Sequence, residues 1–301
     1  MKRFAFSYLA TFACAGLLLL APARAATSTI DATTHHGWSA NTGWIDFRPD
    51  ADRGFRFGEF SCAGWLWSPN IGWIGCGDGT PANHINYAND DNVDYGVNHY
   101  GNGNLYGLAW SPNTGWINFG WATLDPGNAN RPRVDLVTGE FAGYAWSANC
   151  GWISLAGVKT TRMEIPDTDG DGISDAFEMA YANNLTTLGP NHDQDADGFS
   201  DVAEYESMTN PFDPTNFFKV TKVEQASVDG SATKLTWTSA PNRRYVVEHS
   251  SDLGATNPWH VSPLNPAQFS ADSGEFTTRT TLDAAAPRRF FRVTAVVPLQ
   301  P

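Results

Sequence analysis

The sequence predicts a mainly β protein in three parts. These are an N-terminal tryptophan-rich β-hairpin repeat domain of four copies, a short acidic loop-and-helix spacer, and a C-terminal β-sandwich. Three observations carry this. The pattern W-S-x-N-x-G-W-I, with small variations, recurs four times, from Trp38, Trp67, Trp110 and Trp146. Between Ile165 and Asn216 stand twelve Asp or Glu residues and no Lys or Arg. From Phe217 onward, short runs rich in β-formers alternate with turn-rich stretches.

The chain opens with the marks of an export signal over residues 1–25. Lys2 and Arg3 precede an apolar run from Leu9 to Ala21, and Ala23-Arg24-Ala25 fits a small-x-small cleavage site. That run is short of the roughly 20 apolar residues of a spanning helix. Cys14 lies within the run and has no leucine three residues before it, which argues against a lipidated cysteine. With no later segment apolar enough to cross a membrane, the mature chain is expected to be secreted, extracellular or held at the cell surface, without a transmembrane anchor. Loss of Lys2, Arg3 and Arg24, with no acid, takes the formal charge from −13 to −16. Such a chain repels nucleic acid and anionic lipid, so no nucleic-acid partner is expected.

The repeat domain is placed at residues 26–163. Gly-rich leads such as "TGEFAGYAW" precede three copies, so the unit reads strand, Gly turn, strand, S-x-N-x-G turn, strand. Asn and Gly enter left-handed backbone readily, and Pro69 and Pro112 preset a turn angle. The copies start 29, 43 and 36 residues apart, as repeats with loop insertions do. Eight of the twelve tryptophans fall in them. Two roles stay open. As cross-hairpin pairs they would build a shared core; as exposed faces they would stack on sugar rings. Regular recurrence favours the core. Asn41, Asn70, Asn113 and Asn149 then serve the turns. The less regular aromatics Trp65, Tyr106, Trp121 and Tyr144 are the better ligand-surface candidates, together with the long insertion at 78–104. Three cysteines remain after export, Cys62, Cys76 and Cys150. Cys62 and Cys76 flank the second turn, and a disulfide between them would close about 15 residues, worth about 3 kcal/mol in the chain-entropy model.

The acidic block, residues 164–216, contains two matched loops, "DTDGDGISDAFE" from Asp167 and "DQDADGFSDVAE" from Asp193. Each places carboxylates at its first, third, fifth, ninth and twelfth positions with Gly after the fifth. Alternate acids on a tight loop supply the oxygen ligands that calcium needs. The expected ligands are Asp167, Asp169, Asp171, the Ile173 carbonyl, Asp175 and Glu178 in the first loop. In the second they are Asp193, Asp195, Asp197, the Phe199 carbonyl, Asp201 and Glu204. Both Ile173 and Phe199 are expected to pack inward. Short helices are predicted near 175–182 and 201–208. The loops resemble thrombospondin type 3 repeats, especially those of secreted bacterial proteins. That resemblance covers about fifty residues and implies structural calcium in a spacer; it does not imply catalysis. It departs from an EF-hand, because Pro166 leaves no incoming helix.

Residues 217–301 resemble a fibronectin type III or immunoglobulin-like module through "LTWTS", "YVVEHS" and "FFRVTAV". Trp237, Tyr245, Val247, Phe291 and Val293 are expected in its core. Arg243, Arg244, Arg288 and Arg289 read as solvated strand ends. The G-Y-A-W-S-x-N-x-G-W-I unit resembles repeats of modular secreted bacterial proteins, to which no activity is attached. Hydrolase, zinc-protease, phosphate-loop and dinucleotide motifs are missing. His35 and His36 are adjacent, which does not set them as a zinc pair on one strand face, and His84 and His99 read as solvated. No catalytic residue is assigned. The expected role is a calcium-binding, exported protein for binding, adhesion or structure, its partner a glycan or a surface protein. The alternative is a carbohydrate-binding module or carbohydrate-active enzyme using the tryptophan-rich domain.

Overall fold

A computed structural model describes residues 27–125, 127–256, 258–262, 268–272, 274–282 and 289–300. The export signal expected over residues 1–25 and the expected strand-end Arg288 lie outside the described residues. The protein is mainly β with two short helices.

The first region holds strands β1 (Ile30–Ser39), β2 (Gly43–Asp46), β3 (Trp65–Ser68), β4 (Gly72–Gly75), β5 (Val97–His99), β6 (Leu105–Ser111), β7 (Gly115–Asn118), β8 (Arg133–Val134), β9 (Phe141–Ala142), β10 (Tyr144–Ser147), β11 (Gly151–Ser154) and β12 (Val158–Thr160). Each W-S-x-N-x-G-W-I copy is one antiparallel hairpin: β1–β2, β3–β4, β6–β7 and β10–β11. The hairpins pair side by side, and β11 returns to β1 through Trp38↔Ser154 and Ser39↔Ile153. Eight strands thus close into a barrel-like ring.

Side-chain alternation then decides what lies inside. Ile45, Ile74, Ile117 and Ile153 point inward, opposite Gly37, Leu66, Ala109 and Ala145. Two residues further from the turns, Phe47, Cys76, Phe119 and Leu155 form another buried layer. Phe47, Phe55, Phe57 and Phe141 add edge-to-face contacts with centroids 5.8–6.2 Å apart. The tryptophans alternate with these residues and therefore face outward. All eight are 38–60% exposed. The expectation that they form the repeat core is thus overturned: an eight-stranded interior already filled by the isoleucines, small residues, Phe47 and Phe119 has no room for eight indoles.

The turns explain the remaining repeated letters. Ser39, Ser68, Ser111 and Ser147 are buried, and each Oγ accepts the backbone N–H of the Asn two residues on. The following glycines take φ of 67–76°, which only glycine enters without strain. Amide groups of Asn70, Asn113 and Asn149 reach sideways and donate to Thr42 O, Ile71 O and Thr114 O of the preceding turn at 2.9–3.0 Å. Ser39 Oγ donates to Cys150 O at 2.7 Å and joins the fourth turn to the first. Cys62, Cys76 and Cys150 are buried free thiols. The first two meet at one residue, since Cys62 N–H donates to Val97 O and Val97 N–H donates to Cys76 O. Burial pushes the Cys62 thiol up to about 12 and that of Cys76 well above its ordinary value.

The acidic block forms helices α1 (Asp175–Tyr181) and α2 (Asp201–Ser207), close to the expected positions. Ser174 caps α1 by accepting the Phe177 N–H. Ile173, Phe177, Leu188 and Tyr205 make a small buried cluster. Phe199 departs from the expected inward packing. It is 39% exposed and stacks on Phe217 with centroids 5.6 Å apart.

Beyond it stand β13 (Val220–Gln225), β14 (Ala232–Thr238), β15 (Arg244–Ser250), β16 (His260–Val261), β17 (Phe269–Ser270), β18 (Phe276–Leu282) and β19 (Phe290–Val296). They form one sheet in the order β13-β14-β18 and a second in which β15 pairs with β16, β17 and β19. Leu235, Trp237, Tyr245 and Val247, with Phe291 and Val293, share the core of this region.

Arg243 and Arg244 are not solvated strand ends; both are buried. Arg243 lies fully buried with Glu59 of the barrel, Nη1 to Oε1 at 3.1 Å. Its Nε donates to Glu206 O at 2.9 Å, and Nη2 donates to Tyr205 O. Its guanidinium also lies 5.0 Å from the Tyr205 ring centroid. One cation therefore joins all three regions. His99, expected to be solvated, is buried against the Glu59 backbone. Its Nδ1 lies 2.8 Å from Glu59 O, and its Nε2 accepts the Gly103 N–H at 2.8 Å. These partners fix the neutral tautomer, and burial lowers its pKa from 6.5 to about 4.

Three outcomes follow. Arg243→Ala should lower unfolding free energy by about 3–5 kcal/mol, since Glu59 is left charged and buried; the joint E59L/R243M replacement should cost far less in denaturant melts. Asn113→Ala should cost about 1 kcal/mol by loss of its inter-turn hydrogen bond, seen as a lower thermal midpoint. For His99 the folded pKa lies below the unfolded one, so the unfolded state binds the proton first. Stability should fall as pH drops from about 6.5 through about 4, by up to about 3 kcal/mol, and urea melts of His99→Gln should lack that share of the slope.

Candidate functional site

The two acid loops are built alike. In the first, Asp167 Oδ1 accepts the N–H of Gly170 at 2.8 Å, and its Oδ2 accepts that of Gly172 at 3.0 Å. Asp171 Oδ1 accepts from Ile173 N–H at 2.9 Å. Asp193 and Asp197 repeat the pattern, with Gly198 N–H on Asp193 Oδ2 at 3.1 Å and Phe199 N–H on Asp197 Oδ1 at 2.8 Å. Gly172 and Gly198 have φ of 94° and 99°, which allows the loop to wrap around its own carboxylates. Ligand-capable oxygens of Asp167, Asp169 and Asp171 lie within 4.8 Å of one another, as do those of Asp193, Asp195 and Asp197.

The twelfth-position acids stand in the first turn of the helix that follows each loop. Glu178 is fully buried, and neither of its carboxylate oxygens has a protein partner. Burial first, and then the charges of Asp169, Asp171, Asp175 and Asp167, raise its pKa to about 8. Glu204 is raised to about 7 by burial and by Asp195, Asp197 and Asp201. Glu204 Oε2, Asp195 Oδ2 and Asp197 Oδ2 are likewise closed off without partners. Unpartnered carboxylate oxygens next to these Asp clusters suit a hard cation, and the residues fit calcium. Asp175 and Asp201 are engaged differently. Both Asp175 oxygens accept from Thr168, through N–H and Oγ1 at 2.7 Å each. Asp201 accepts from Gly189 N–H at 3.0 Å and Gln194 N–H at 3.2 Å. These two acids tie their loops to the helices.

The second candidate surface is the belt of outward tryptophans. The less regular aromatics fall in separate places on it. Trp121 and Tyr144 share a cleft of about 430 Å³ with Trp152, Asn128 and Asn130. Trp121 Nε1 donates to Tyr144 O at 2.6 Å, and its ring meets Trp152 edge-on at 4.9 Å. Trp65 is 43% exposed and packs edge-on against Trp73, with Arg53 5.8 Å from the Trp73 centroid. Tyr106 is half-buried, stacked on Tyr100 at 3.9 Å, and its hydroxyl accepts from Asn86. Sequence reasoning missed Trp152, Asn128 and Asn130 as neighbours of Trp121. They come from another strand and a connecting loop, and no spacing relates them. Among the described residues, no helix is long and apolar enough to cross a membrane.

No curated protein and no solved structure matches the chain. Residues 167–183, which contain the whole first loop and helix α1, are similar to the bacterial TSP3 repeat, a calcium-binding module.

Proposed function

We propose that this chain is an exported, calcium-braced binding protein that meets its extracellular ligand through the tryptophan belt of the barrel. The observation that carries this reading is the outward placement of all eight repeat tryptophans, each at least 38% exposed. A soluble protein rarely leaves so much aromatic surface facing water unless something covers it. Aromatic faces beside amides, with no charged group lining the Trp121–Tyr144–Trp152 cleft, suit a neutral polyhydroxy ligand. A glycan at a cell surface or in the matrix is the ligand class that fits best.

In this reading the acid loops hold one calcium ion each. Asp167, Asp169, Asp171 and Glu178, with the Ile173 carbonyl, would hold the first. Asp193, Asp195, Asp197 and Glu204, with the Phe199 carbonyl, would hold the second. Bound calcium supplies the positive charge that lets these carboxylates stay ionised together. The chain itself does the rest. Helix α2 carries Glu204 and also Tyr205, whose carbonyl receives Arg243, so ordering the second loop orders the joint between barrel and C-terminal region. The similarity to the bacterial TSP3 repeat and the opening residues support an extracellular setting. The three-stranded and four-stranded sheets of the C-terminal region support a fibronectin III-like or immunoglobulin-like module. In an oxidising compartment, Cys62 and Cys76 would be the pair to bridge; the backbone neighbour they share, Val97, supports this.

Calorimetry of chelator-treated protein should show about two calcium sites with Kd on the order of 0.1–1 mM, as in extracellular modules. Glu178→Gln and Glu204→Gln should each remove one site, and absence of heat at several millimolar calcium would overturn the assignment. A glycan array probed with the calcium-loaded chain should show selective retention. Trp152→Ala should weaken that retention about tenfold, about 1.4 kcal/mol. Uniform silence across the array, with tryptophan fluorescence unmoved by any glycan, would remove the glycan reading and leave the calcium sites standing.

A further inference from the structure

We propose that His35, His36 and Asp46 form a binding site for a divalent transition metal on the outer face of the barrel. Neighbouring residues of a regular strand point to opposite faces, so His35 and His36 would be expected to diverge. Strand β1 does not stay regular. Its pairing with β12 runs from Ile30↔Thr160 to His35↔Val158, five residues against two, which marks an irregularity in the ladder. Beyond this point β1 passes from β12 to β11 on one edge and pairs with β2 on the other, with His36 opposite Asp46. The kink turns both imidazoles to one place, with ring centroids 4.0 Å apart.

Asp46 completes the group from the neighbouring strand. Its Oδ1 lies 2.6 Å from His35 Nδ1, and its Oδ2 lies 4.0 Å from His36 Nε2. One donor atom from each residue can be chosen so that all three lie within 4.8 Å of one another. A small closing movement brings such a set around one ion. Asp46 is held for this task, because Oδ1 also accepts the Arg48 N–H at 2.7 Å. A proton now held between His35 Nδ1 and Asp46 Oδ1 is what a cation would displace.

The donor chemistry selects the metal class. Two imidazoles and one carboxylate suit zinc, copper or nickel, and calcium prefers an all-oxygen shell. The site is therefore chemically distinct from the acid loops. Three protein ligands leave coordination positions open, as in zinc centres that also hold an exogenous ligand. His36 and Asp46 also line a cleft of about 400 Å³ with Trp44, Trp67 and Pro69. His36 also stands edge-on to Trp44 at 6.1 Å. A metal here would place a Lewis-acidic point between two belt tryptophans, where a hydroxyl or carboxylate donor from a ligand completes the shell. The inference stands on the three side chains and does not rest on the glycan reading.

The test uses the full mature chain in saturating calcium, so that the acid loops are filled. Zinc is titrated by calorimetry, and cobalt by its visible absorption. The expected result is one zinc per chain in addition to calcium, with a cobalt spectrum of nitrogen and oxygen ligation. His36→Ala and Asp46→Asn should each weaken that site at least tenfold while leaving thermal melting and calcium uptake in place. His36 is 45% exposed at its side chain, so its removal spares the core. No zinc uptake would overturn the proposal and leave His35–Asp46 as an ordinary hydrogen bond. Zinc uptake of equal strength in both variants would overturn it too, because the metal would then sit elsewhere.

Discussion

The pairing of β11 with β1 is the constraint from which the rest of the molecule follows. Four hairpins in an open sheet would have two edges and a choice of faces. Closing them leaves one inside, of fixed width, and one outside. Ile, Ala, Leu and Gly fill that inside in register, and the indoles have only the outside left. The repeat is thus written twice over. Ser, Asn, Gly and Ile build the ring, and the two tryptophans of each copy are the part of the unit that the ring presents. Buried serine hydroxyls and sideways asparagine amides hold the turns to one another, so neighbouring copies are joined through groups other than the aromatics.

Much of this was legible in the sequence, and the misses have physical reasons. Hairpin positions follow from Asn and Gly at fixed places, and the acid loops follow from alternation of carboxylates around Gly172 and Gly198. Which face of the hairpin is inside was not legible, because both faces are apolar. Serine and isoleucine alternate with tryptophan, and size alone points the wrong way. Only the count of strands in a closed ring decides it. Arg243 read as a solvated charge because its partner, Glu59, lies 184 residues earlier in the chain. His99 read as polar loop, yet its two ring nitrogens each find a backbone partner inside. The convergence of His35 with His36 depends on a strand irregularity that leaves no mark in residue type. Asp175 and Asp201 fit the loop pattern as ligands, and only the coordinates show their oxygens engaged by backbone N–H groups and the Thr168 hydroxyl.

The acid loops and the barrel are linked through chemistry of opposite kinds. Each loop gathers carboxylate oxygens that have no partner among the described residues, while Arg243 at the joint answers a different acid, Glu59. Calcium bound as proposed would therefore act in series with Arg243 on helix α2. Its Glu204 side chain faces the ion site, and its Tyr205 and Glu206 carbonyls face the guanidinium. A helix of seven residues is too short to be stable alone, so it depends on such contacts and on the packing of Tyr205 in its buried cluster.

The hydrogen bonds of residues 160–164 have a mechanical consequence. Arg162 Nη2 donates to Thr27 O at 2.9 Å, and Met163 N–H donates to Leu299 O at 3.1 Å. Residues far apart in the chain, near its two described ends, are thus clamped to adjacent positions on one segment. Val297 and Leu299 pack against the barrel core at the same place. Tension applied between residues 27 and 299 would reach this clamp directly through these two hydrogen bonds, ahead of the acid loops, which lie between residues 163 and 299 in sequence. A tethered molecule of this build would yield first at its clasp, with its ion sites and its aromatic belt still folded.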